Sequence, residues 1–501
     1  MNNILEYLEK TAQKYPCQVA VDDGDIALEW SQLVELSKGI GTALCKRTET
    51  GKPIAILMKK SAVTLAVMYG AVYAGCFYVM VDPSQPAARI QDMMQVLRPS
   101  LIVTNECCTN LLREAGCGDR QCLTTELLKE HPQEDRLSQI RQKSGRTDLL
   151  YAVFTSGSTG TPKGIVVNHG AVIDFITHFV NTFAFTSRDT IGNQAPFDFD
   201  VSVKDIYTSA FTGASLILIP KELFSTPPRL LDFLTEKKIT TLIWAVSALC
   251  IVSALKGLHY KIPHDVDKIL FSGEVMPVKQ LRQWQIALPK AKFVNLYGPS
   301  EITCNCTYHT VEKIYQDGEQ IPIGRPFAGR EVFLLDEQGE VTKPSQIGEI
   351  CVIGESLSDG YYRNPEETRK RFIDFPQRGN KAGYKTGDLG YYGIDGELYF
   401  AGRKDFQIKH MGHRIELEGI QQKMEQIDGI ERCLCLMDEK KNRIVAFYLG
   451  EKQPEEIRVQ LKKNLPTYMI PQKIMKTDIV PLTKNGKTDR QYFKQIMEGM
   501  K

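Results

Sequence analysis

The chain has 501 residues, which is too many for one ordinary hydrophobic core, so two or more domains are expected. Hydrophobic residues make up 43% and charged residues 24%, a composition typical of globular proteins. The 62 basic and 60 acidic residues leave a net charge of +2. Charge therefore gives no reason to expect nucleic acid or an anionic membrane as a partner.

The thirteen cysteines lack the spacing of a disulfide framework or a zinc site. The first residues, MNNILEYLEK, lack the basic segment and apolar core of a secretory signal, so we expect a cytoplasmic location. Residues 61–81 carry no charge and are long enough to span a bilayer. Ala74 and Gly75 divide this stretch into a helical pattern and a short strand pattern, so we expect no membrane insertion.

Short apolar runs alternate with longer helical patterns along most of the chain. Fully apolar short runs between helices predict parallel strands that are covered on both faces. Such runs occur at residues 53–57, 101–103, 216–219, 241–245 and 269–271. The predicted fold class is therefore α/β, with layered mixed and parallel sheets.

The composition changes in the last third of the chain. Residues 384–400 are rich in Gly and Tyr and alternate in polarity, which predicts a small antiparallel unit. Lys-rich sequence with two helical patterns, near 417–427 and 454–465, follows Gly402. We place a domain boundary near 403–406, which predicts a large N-terminal domain (1–403) and a small α+β C-terminal domain (404–501).

A loop rich in Ser, Thr and Gly, FTSGSTGTPKG, covers residues 154–164. Its free N–H groups, hydroxyls and lysine suit a polyphosphate. The strand pattern before the loop and the helical pattern after His169 predict a strand-to-helix turn. Pro162 precedes Lys163 and Gly164 follows it, so the loop is not a Walker motif. A simple Ser/Gly linker is the alternative.

Five further segments carry motifs: YAGCFYVMVDPSQPAARI (73–90), NLYGPSEIT (295–303), YKTGDL (384–389), GRKDFQIKHMGHRIELE (402–418) and PLTKNGKTDR (481–490). With the loop, and in this order, they resemble the adenylate-forming superfamily. Its members include amino-acid adenylation domains of nonribosomal peptide synthesis, D-alanyl carrier-protein ligases, acyl-CoA ligases and luciferases. The resemblance covers nearly the whole chain.

The resemblance implies that ATP activates a carboxylic acid as an acyl-adenylate and that the acyl group then passes to a thiol. It implies a catalytic set of Lys487, Glu301 and Thr155, with Glu301 holding Mg²⁺ and Lys487 bonding the substrate carboxylate. The implied nucleotide-binding set is Thr155, Ser156, Gly157, Ser158, Thr159, Lys163, Asn295, Tyr297, Gly298, Ser300, Asp388 and Arg403.

Specific roles follow from the same resemblance. Tyr297 is expected to stack on adenine, with Asn295 near the amino edge of the base. Asp388 is expected to accept the ribose hydroxyls, with Arg403 assisting. Ser300 stands where the superfamily usually has Thr, and both residues carry a hydroxyl.

Residues 199–207, FDVSVKDIY, resemble the F-D-x-S segment of members that activate amino acids. In those members the Asp pairs with the substrate amine, and Asp200 matches it. Since a buried carboxylate needs a cation, Asp200 predicts an amine on the substrate. The alternative is an Asp that caps a helix starting at Val201.

Alignment to the specificity positions of the superfamily gives Asp200, Val201, Lys204, Trp244, Leu270, Ser272, Leu296, Cys304, Asn305 and Lys487. No motif anchors Trp244, so a slip of one residue is an alternative there. The set predicts an apolar pocket in which Trp244, Leu270 and Leu296 enclose a flat ring. Lys204 either pairs with an acidic or hydroxylated side chain or points to solvent.

Three substrate classes remain open: a polar or acidic amino acid, an amino-aryl acid of the anthranilate type, and D-alanine. FSGEVMP (271–277) looks most like the D-alanyl ligases. The leading function is adenylation followed by transfer to the phosphopantetheine of a separate carrier protein. An acyl-CoA ligase and a non-catalytic ATP sensor are alternatives. Asp200 argues against the first, and Glu301, Asp388 and Lys487 together argue against the second.

Asp405 lies in GRKD, where superfamily members place a hinge. The two half-reactions need different surroundings, with Lys487 near the α-phosphate first and an open path for a thiol afterwards. We therefore expect the C-terminal domain to be mobile and to rotate about Asp405 between the two steps.

Overall fold

The computed structural model describes residues 1–155, 162–405, 407–439, 441–479, 481 and 490–499. Five residues of the predicted site lie outside these ranges: Ser156, Gly157, Ser158, Thr159 and Lys487.

The first part of the chain alternates helices and strands, as the apolar runs predicted. The elements are α1 (Leu5–Lys14), β1 (Val19–Asp22), β2 (Ala27–Glu29), α2 (Trp30–Cys45), β3 (Pro53–Leu57), α3 (Ala62–Tyr73), β4 (Phe77–Val81), α4 (Ala87–Leu97), β5 (Leu101–Thr104), α5 (Thr109–Glu114), β6 (Gln121–Leu123), α6 (Thr124–Leu127), α7 (Glu134–Lys143) and β7 (Leu149–Thr155). The uncharged stretch 61–81 is the buried helix α3 and the buried strand β4. Within the described ranges, no helix is long and apolar enough to cross a membrane.

The alternation continues through the middle of the chain. The elements are β8 (Lys163–Asn168), α8 (His169–Phe183), β9 (Thr190–Asn193), α9 (Val201–Thr212), β10 (Ser215–Leu218), α10 (Pro227–Glu236), β11 (Thr241–Ala245), α11 (Val246–Ala254), α12 (Gly257–Tyr260), β12 (Lys268–Ser272), α13 (Val278–Ala287), β13 (Lys292–Tyr297) and β14 (Thr307–Thr310).

A mainly antiparallel region and then a short C-terminal region complete the fold. The elements are β15 (Arg325–Pro326), β16 (Arg330–Leu335), β17 (Glu340–Val341), β18 (Gly348–Gly354), α14 (Pro365–Arg371), β19 (Phe372–Phe375), β20 (Lys381–Tyr392), β21 (Leu398–Arg403), β22 (Gln407–His410), β23 (His413–Glu416), α15 (Leu417–Glu425), β24 (Ile430–Asp438), β25 (Arg443–Gly450), α16 (Pro454–Asn464), β26 (Lys473–Lys476) and α17 (Arg490–Gly499).

Two large sheets form the body of the molecule. One has the strand order β6-β5-β3-β4-β7-β8 and the other the order β15-β14-β13-β12-β11-β9-β10-β1-β2. The central strands of both sheets are parallel, and antiparallel strands lie at their edges. One hydrophobic core joins a face of each sheet through α2, α3, α8 and α9. The predicted α/β class with layered mixed sheets is confirmed.

Three smaller sheets follow. Strands β16–β21 form an antiparallel sheet, which includes the unit predicted at 384–400. Beyond residue 406, β22 and β23 form a hairpin, and β24, β25 and β26 form a sheet that packs on α15 and α16. This C-terminal segment (407–499) has a hydrophobic core of its own, from Ile415 to Ile474. The boundary at 403/404 stays a prediction, as does the mobility of the segment.

The surroundings of the predicted phosphate loop differ from the expectation. The loop joins β7 to β8, which pair antiparallel up to Thr155 and Lys163, and α8 begins only at His169. The loop therefore lies between two strands, and the predicted strand-to-helix turn is wrong. The apolar run after Lys163, GIVVN, adds an edge strand to the sheet before the helix can start.

Candidate active site

The predicted site residues collect where parallel strands of the nine-stranded sheet end. Ser272 ends β12, Tyr297 ends β13, and Asp200 stands directly before α9. Ligands of open α/β sheets bind outside the carboxyl ends of the strands, so this edge is the expected place for a site. Two cavities meet here, and we name each after its predicted ligand. The acid pocket comprises Asp200, Val201, Lys204, Ser272, Cys304 and Asn305, and the nucleotide cleft lies beside it.

Asp200 is buried, with 8% of its surface exposed. Its side chain makes no capping hydrogen bond to α9, so the helix-cap alternative is wrong. Burial raises the pKa of the Asp200 carboxyl, while a hydrogen bond with Ser300 and the charge of Lys204 act in the opposite direction. A cation placed against this carboxylate would favour its ionised form.

Lys204 lies one turn along α9 from Asp200 and is 1% exposed. Its ammonium donates hydrogen bonds to Ser272 Oγ (3.1 Å) and Asn305 Oδ1 (3.0 Å). Burial lowers the pKa of Lys204, whereas the neighbouring acidic groups raise it. The alternative in which Lys204 points to solvent is therefore wrong.

Trp244 does not reach the pocket. Its side chain is fully buried beside Phe224, in a hydrophobic cluster separate from the core that includes α9. Its indole N–H donates to the Gly192 carbonyl (2.8 Å). Successive residues of a strand point to opposite faces, so Trp244 of β11 faces away from α9. The next residue, Ala245, lines the nucleotide cleft.

The predicted aromatic enclosure is consequently wrong. Leu270 is buried in the core that includes α9, and Leu296 lines the cleft. The described residues provide no aromatic ring from β11 to lie over a flat substrate.

The far wall of the pocket is a tight segment. Thr303 and Cys304 both have left-handed backbone conformations, with φ of 51° and 74°. Such strain costs on the order of 1–3 kcal/mol per residue and persists only where the surroundings impose it. Here the Thr303 hydroxyl donates to the Ser356 carbonyl (2.7 Å), and the Cys304 thiol donates to the Asp200 carbonyl (3.1 Å).

Gly298 packs directly on this segment. A Cβ built on it would lie 2.5 Å from Asn305 Cα and 2.7 Å from the Cys304 carbonyl oxygen. Only glycine allows this approach. The end of β13, which carries the predicted adenine residues, is therefore in direct backbone contact with the pocket wall.

The nucleotide cleft brings together four predicted residues. Asp388 accepts hydrogen bonds from Tyr297 Oη (2.6 Å) and from the Arg403 guanidinium. Asn295 donates to the Pro322 carbonyl (2.7 Å), which leaves its own carbonyl oxygen to accept from a ligand. Asn295, Tyr297, Asp388 and Arg403 all line the cleft.

Glu301 has partners from two regions. Tyr361 Oη donates to Oε1 (2.7 Å), and Arg414 of β23 donates to Oε2 (2.6 Å). Burial alone would raise the pKa of Glu301, but the charge of Arg414 and the bond from Tyr361 hold it below its usual value. The carboxylate is thus ionised and paired with the C-terminal segment.

The β22–β23 hairpin enters the site at a second point. The Gly412 N–H donates to Glu274 Oε1 (2.6 Å), and a Cβ on Gly412 would contact Ala245 and Phe199. On the same hairpin, Lys409 lies 5.9 Å from the Tyr297 ring centroid and lines the acid pocket. We call the contacts Glu301–Arg414 and Glu274–Gly412 the seam.

Two further predicted residues have partners that the sequence did not indicate. Lys163 donates to Glu367 Oε1 (2.8 Å), beside Thr155 across the β7–β8 pair. Asp405 accepts from Arg403 Nε (2.7 Å) and lies 3.5 Å from Arg371. Asp405 is therefore held by its side chain in this arrangement.

Comparison with known proteins now settles the family. The family model described as "AMP-binding enzyme" matches residues 8–362, well over half of the chain. The chain belongs to the AMP-binding enzyme family. It is an adenylate-forming ligase, and enzymes of this kind use ATP.

Curated relatives of this AMP-binding enzyme include carrier-protein ligases and peptide synthetases. It is 32% identical over 511 residues to the D-alanine–D-alanyl carrier protein ligase of Listeria monocytogenes, covering 97% of this chain and 98% of the relative. It is 31% identical over 496 residues to surfactin synthase subunit 1 of Bacillus subtilis. There it covers 97% of this chain but spans only 14% of the relative.

A solved structure has the same fold. The Vibrio cholerae adenylation domain AlmE, in complex with glycyl-adenosine-5'-phosphate, superposes with a TM-score of 0.86 at 20% identity. The match covers 100% of this chain and 98% of that one.

Sequence reasoning missed the residues of the seam. Arg414 and Gly412 belong to the GRKDFQIKHMGHRIELE motif but received no role, and Glu274 and Tyr361 belong to no assigned set. The Glu301–Arg414 contact joins residues 113 positions apart. Membership of this motif was the one signal that could have pointed to Arg414 and Gly412. Nothing else about an Arg or a Gly in a hairpin predicts which residue it will contact.

Proposed function

We propose that this enzyme adenylates an amine-bearing carboxylic acid, releases pyrophosphate, and transfers the acyl group to the phosphopantetheine thiol of a separate carrier protein. The observation that carries the proposal is the buried carboxylate of Asp200. It lines a cavity beside the nucleotide cleft, and no basic nitrogen of the described residues lies within 4.0 Å of it. A substrate ammonium would supply the missing cation.

In the first step, an oxygen of the substrate carboxylate attacks the α-phosphorus of ATP, and the bond to the β-phosphate oxygen breaks. Both reactants are anionic, so the site must hold them in line and neutralise charge. Asp200 would orient the acid, while Asp388 and Arg403 would hold the ribose and Asn295 and Tyr297 the base. Lys487, Thr155 and the 156–159 loop residues are assigned to the phosphates by resemblance.

The residues present fit Mg²⁺, which proteins commonly hold through one or two carboxylates together with substrate phosphates. Glu301 is one buried, ionised carboxylate, and no group of three or more potential protein ligands occurs in the described part of the chain. Bound there, Mg²⁺ would neutralise phosphate charge. Arg414 occupies Glu301 Oε2 in the present arrangement, so the seam must open to free that oxygen.

In the second step, the thiol sulfur attacks the acyl carbon, the bond to AMP breaks, and the thiol loses its proton. We assign the present arrangement to this step, because Glu301 is neutralised by Arg414 and the hairpin has entered the site. The C-terminal segment would rotate between the steps, so that the hairpin leaves the site and Lys487 enters it for adenylation, and the hairpin returns for thiol transfer.

D-alanine loading is the second candidate, favoured by the full-length similarity to the D-alanyl carrier-protein ligase. Acid-dependent pyrophosphate exchange over a broad panel tests adenylation. Thioester formation with carrier protein, with CoA, or with neither then tests the acceptor. Absence of exchange with every acid would overturn the proposed function, and loading of CoA alone would overturn the carrier assignment.

A further inference from the structure

Lys204 is a buried cation with neutral neighbours. Its side chain is 1% exposed, and its two hydrogen-bond acceptors, Ser272 Oγ and Asn305 Oδ1, are uncharged. An ammonium has three donors, so one remains for another acceptor. Within the described residues, no carboxylate lies within the 4.0 Å of an ion pair with Lys204.

The two acidic residues that act electrostatically on Lys204 form no close ion pair with it. Asp205, the next residue, accepts from Asn193 Nδ2 (2.6 Å) through Oδ2, and it interacts with the charges of Lys204 and Lys60 without an ion pair to either. Asp200 interacts with Lys204 electrostatically without forming a close ion pair, and it faces the same small cavity. A buried ammonium without a close counter-ion is costly, so the pocket is incomplete without an added anion.

We propose that Lys204 selects an amino acid with a second carboxylate, which binds as the missing counter-ion. This inference rests on the proposed function. The charged side chains that line the pocket are Asp200, Lys204, Asp388, Arg403, Lys409 and Arg414. Arg403 is paired with Asp388 and Arg414 with Glu301, which leaves Asp200 and Lys204 on the helix side and Lys409 on the hairpin. A dicarboxylic amino acid offers the complement: its ammonium pairs with Asp200, its side-chain carboxylate pairs with Lys204, and its α-carboxylate remains for adenylation.

The other two open substrate classes satisfy only half of this pattern. D-alanine and anthranilate-type acids each supply an amine for Asp200 but leave Lys204 without a counter-ion.

The first test uses the wild-type enzyme and pyrophosphate exchange with aspartate, glutamate, asparagine, D-alanine and anthranilate. Aspartate and asparagine are matched in shape and differ in charge. We expect kcat/KM for aspartate to exceed that for asparagine by about 10- to 100-fold, the range for a hydrogen bond to a charged group. A preference for asparagine, D-alanine or anthranilate would overturn the inference while leaving adenylation standing. Exchange with no acid at all would overturn the proposed function instead.

The second test is Lys204→Met, which removes the charge and keeps most of the side-chain length. We expect the aspartate-to-asparagine ratio to fall by about 10- to 100-fold while ATP binding persists. Lys370→Met is the matched control, because it makes the same change at an exposed ion pair with Glu366 that does not line the pocket, and it should retain the preference for aspartate. An unchanged ratio in a folded Lys204→Met would overturn the assignment. If that variant does not fold, the wild-type panel decides.

Discussion

The acid pocket and the seam are neighbours built in opposite ways. The polar contacts of the pocket join residues 200–305, on α9 and the strand ends of one sheet. The contacts of the seam join that same edge to a hairpin beyond residue 406. The hydrogen bonds within the pocket involve no residue of the C-terminal segment, although Lys409, Gly412 and Arg414 also line the cavity. Glu301 and Glu274, in contrast, are bonded directly to that segment in this arrangement.

The difference separates recognition from chemistry. The residues that we propose select the acid lie on elements that share a hydrophobic core, so we expect them to keep their places in both steps. Glu301 has one partner that stays, Tyr361, and one that must leave if the carboxylate is to serve the phosphates. Substitutions in the pocket should therefore change which acid is used, and substitutions at the seam should change which half-reaction proceeds.

The largest expected effect is that of Asp200→Ala on the pocket. It removes the partner of the substrate ammonium, and an unpaired buried charge costs about 3–5 kcal/mol, or roughly 10²- to 5 × 10³-fold in kcat/KM. A des-amino analogue should lose far less. Pyrophosphate exchange with both substrates checks this. Equal losses would mean that Asp200 is structural and that the pocket does not read the amine.

Lys487→Ala should slow adenylation by about 10²- to 10³-fold while ATP affinity stays nearly unchanged, because the charge of Lys487 matters most as the transition state forms. Pyrophosphate exchange gives the rate, and equilibrium titration with ATP gives the affinity. Equal exchange in variant and wild type would refute the assignment. Acyl transfer from a supplied adenylate should survive, because we assign that step to the arrangement in which the seam is formed and Lys487 is not needed.

Asp405→Pro should lock the C-terminal segment in one orientation, because proline fixes φ. If the locked state is the adenylating one, adenylation should be spared. Carrier loading should then slow by up to about 10²-fold, the rate that is lost when reacting groups are misplaced. Asp405→Ala is the essential control, because it removes the contacts to Arg403 and Arg371 without fixing the backbone. The two half-reactions are followed separately. If Ala and Pro behave alike, Asp405 acts through its side chain and the hinge prediction fails.

Arg414→Met should have the smallest effect, but it should change the two half-reactions in different ways. It frees Glu301, so adenylation should hold or rise, while carrier loading should fall by roughly 10-fold through loss of a charged hydrogen bond. Lys370→Met, which removes an exposed ion pair with Glu366, is a control for charge and should change neither step. A fall in adenylation alone would show that Arg414 does not compete for Glu301.

The body of the fold could be predicted from the sequence because strands that are buried on both faces are apolar throughout. Runs such as PIAIL and TLIWA are buried throughout their strands β3 and β11. The same pattern failed at GIVVN, where a strand comes before the helix that was expected directly. A short apolar run such as Ile165–Val167, next to a helical pattern, does not show where one element ends.

The residues of the candidate site could likewise be predicted only in part. Residues inside ordered motifs, such as Asp388 and Arg403, lie together as the resemblance implied. Trp244 lies outside any motif, and a strand reverses the face of every residue when its register shifts by one. Arg414 and Glu301 meet through tertiary packing over 113 residues, for which the sequence carries no local signal.

The contact beneath Gly298 bears on how this enzyme could be redesigned. Because no side chain fits between Gly298 and the Cys304–Asn305 backbone, the floor shared by base and acid is fixed in shape. A library that varies position 298, or the strained pair Thr303 and Cys304, would disturb both proposed binding sites at once. New selectivity is better sought in the side chains of Lys204, Ser272 and Asn305, which change the acid while leaving the backbone under the nucleotide untouched.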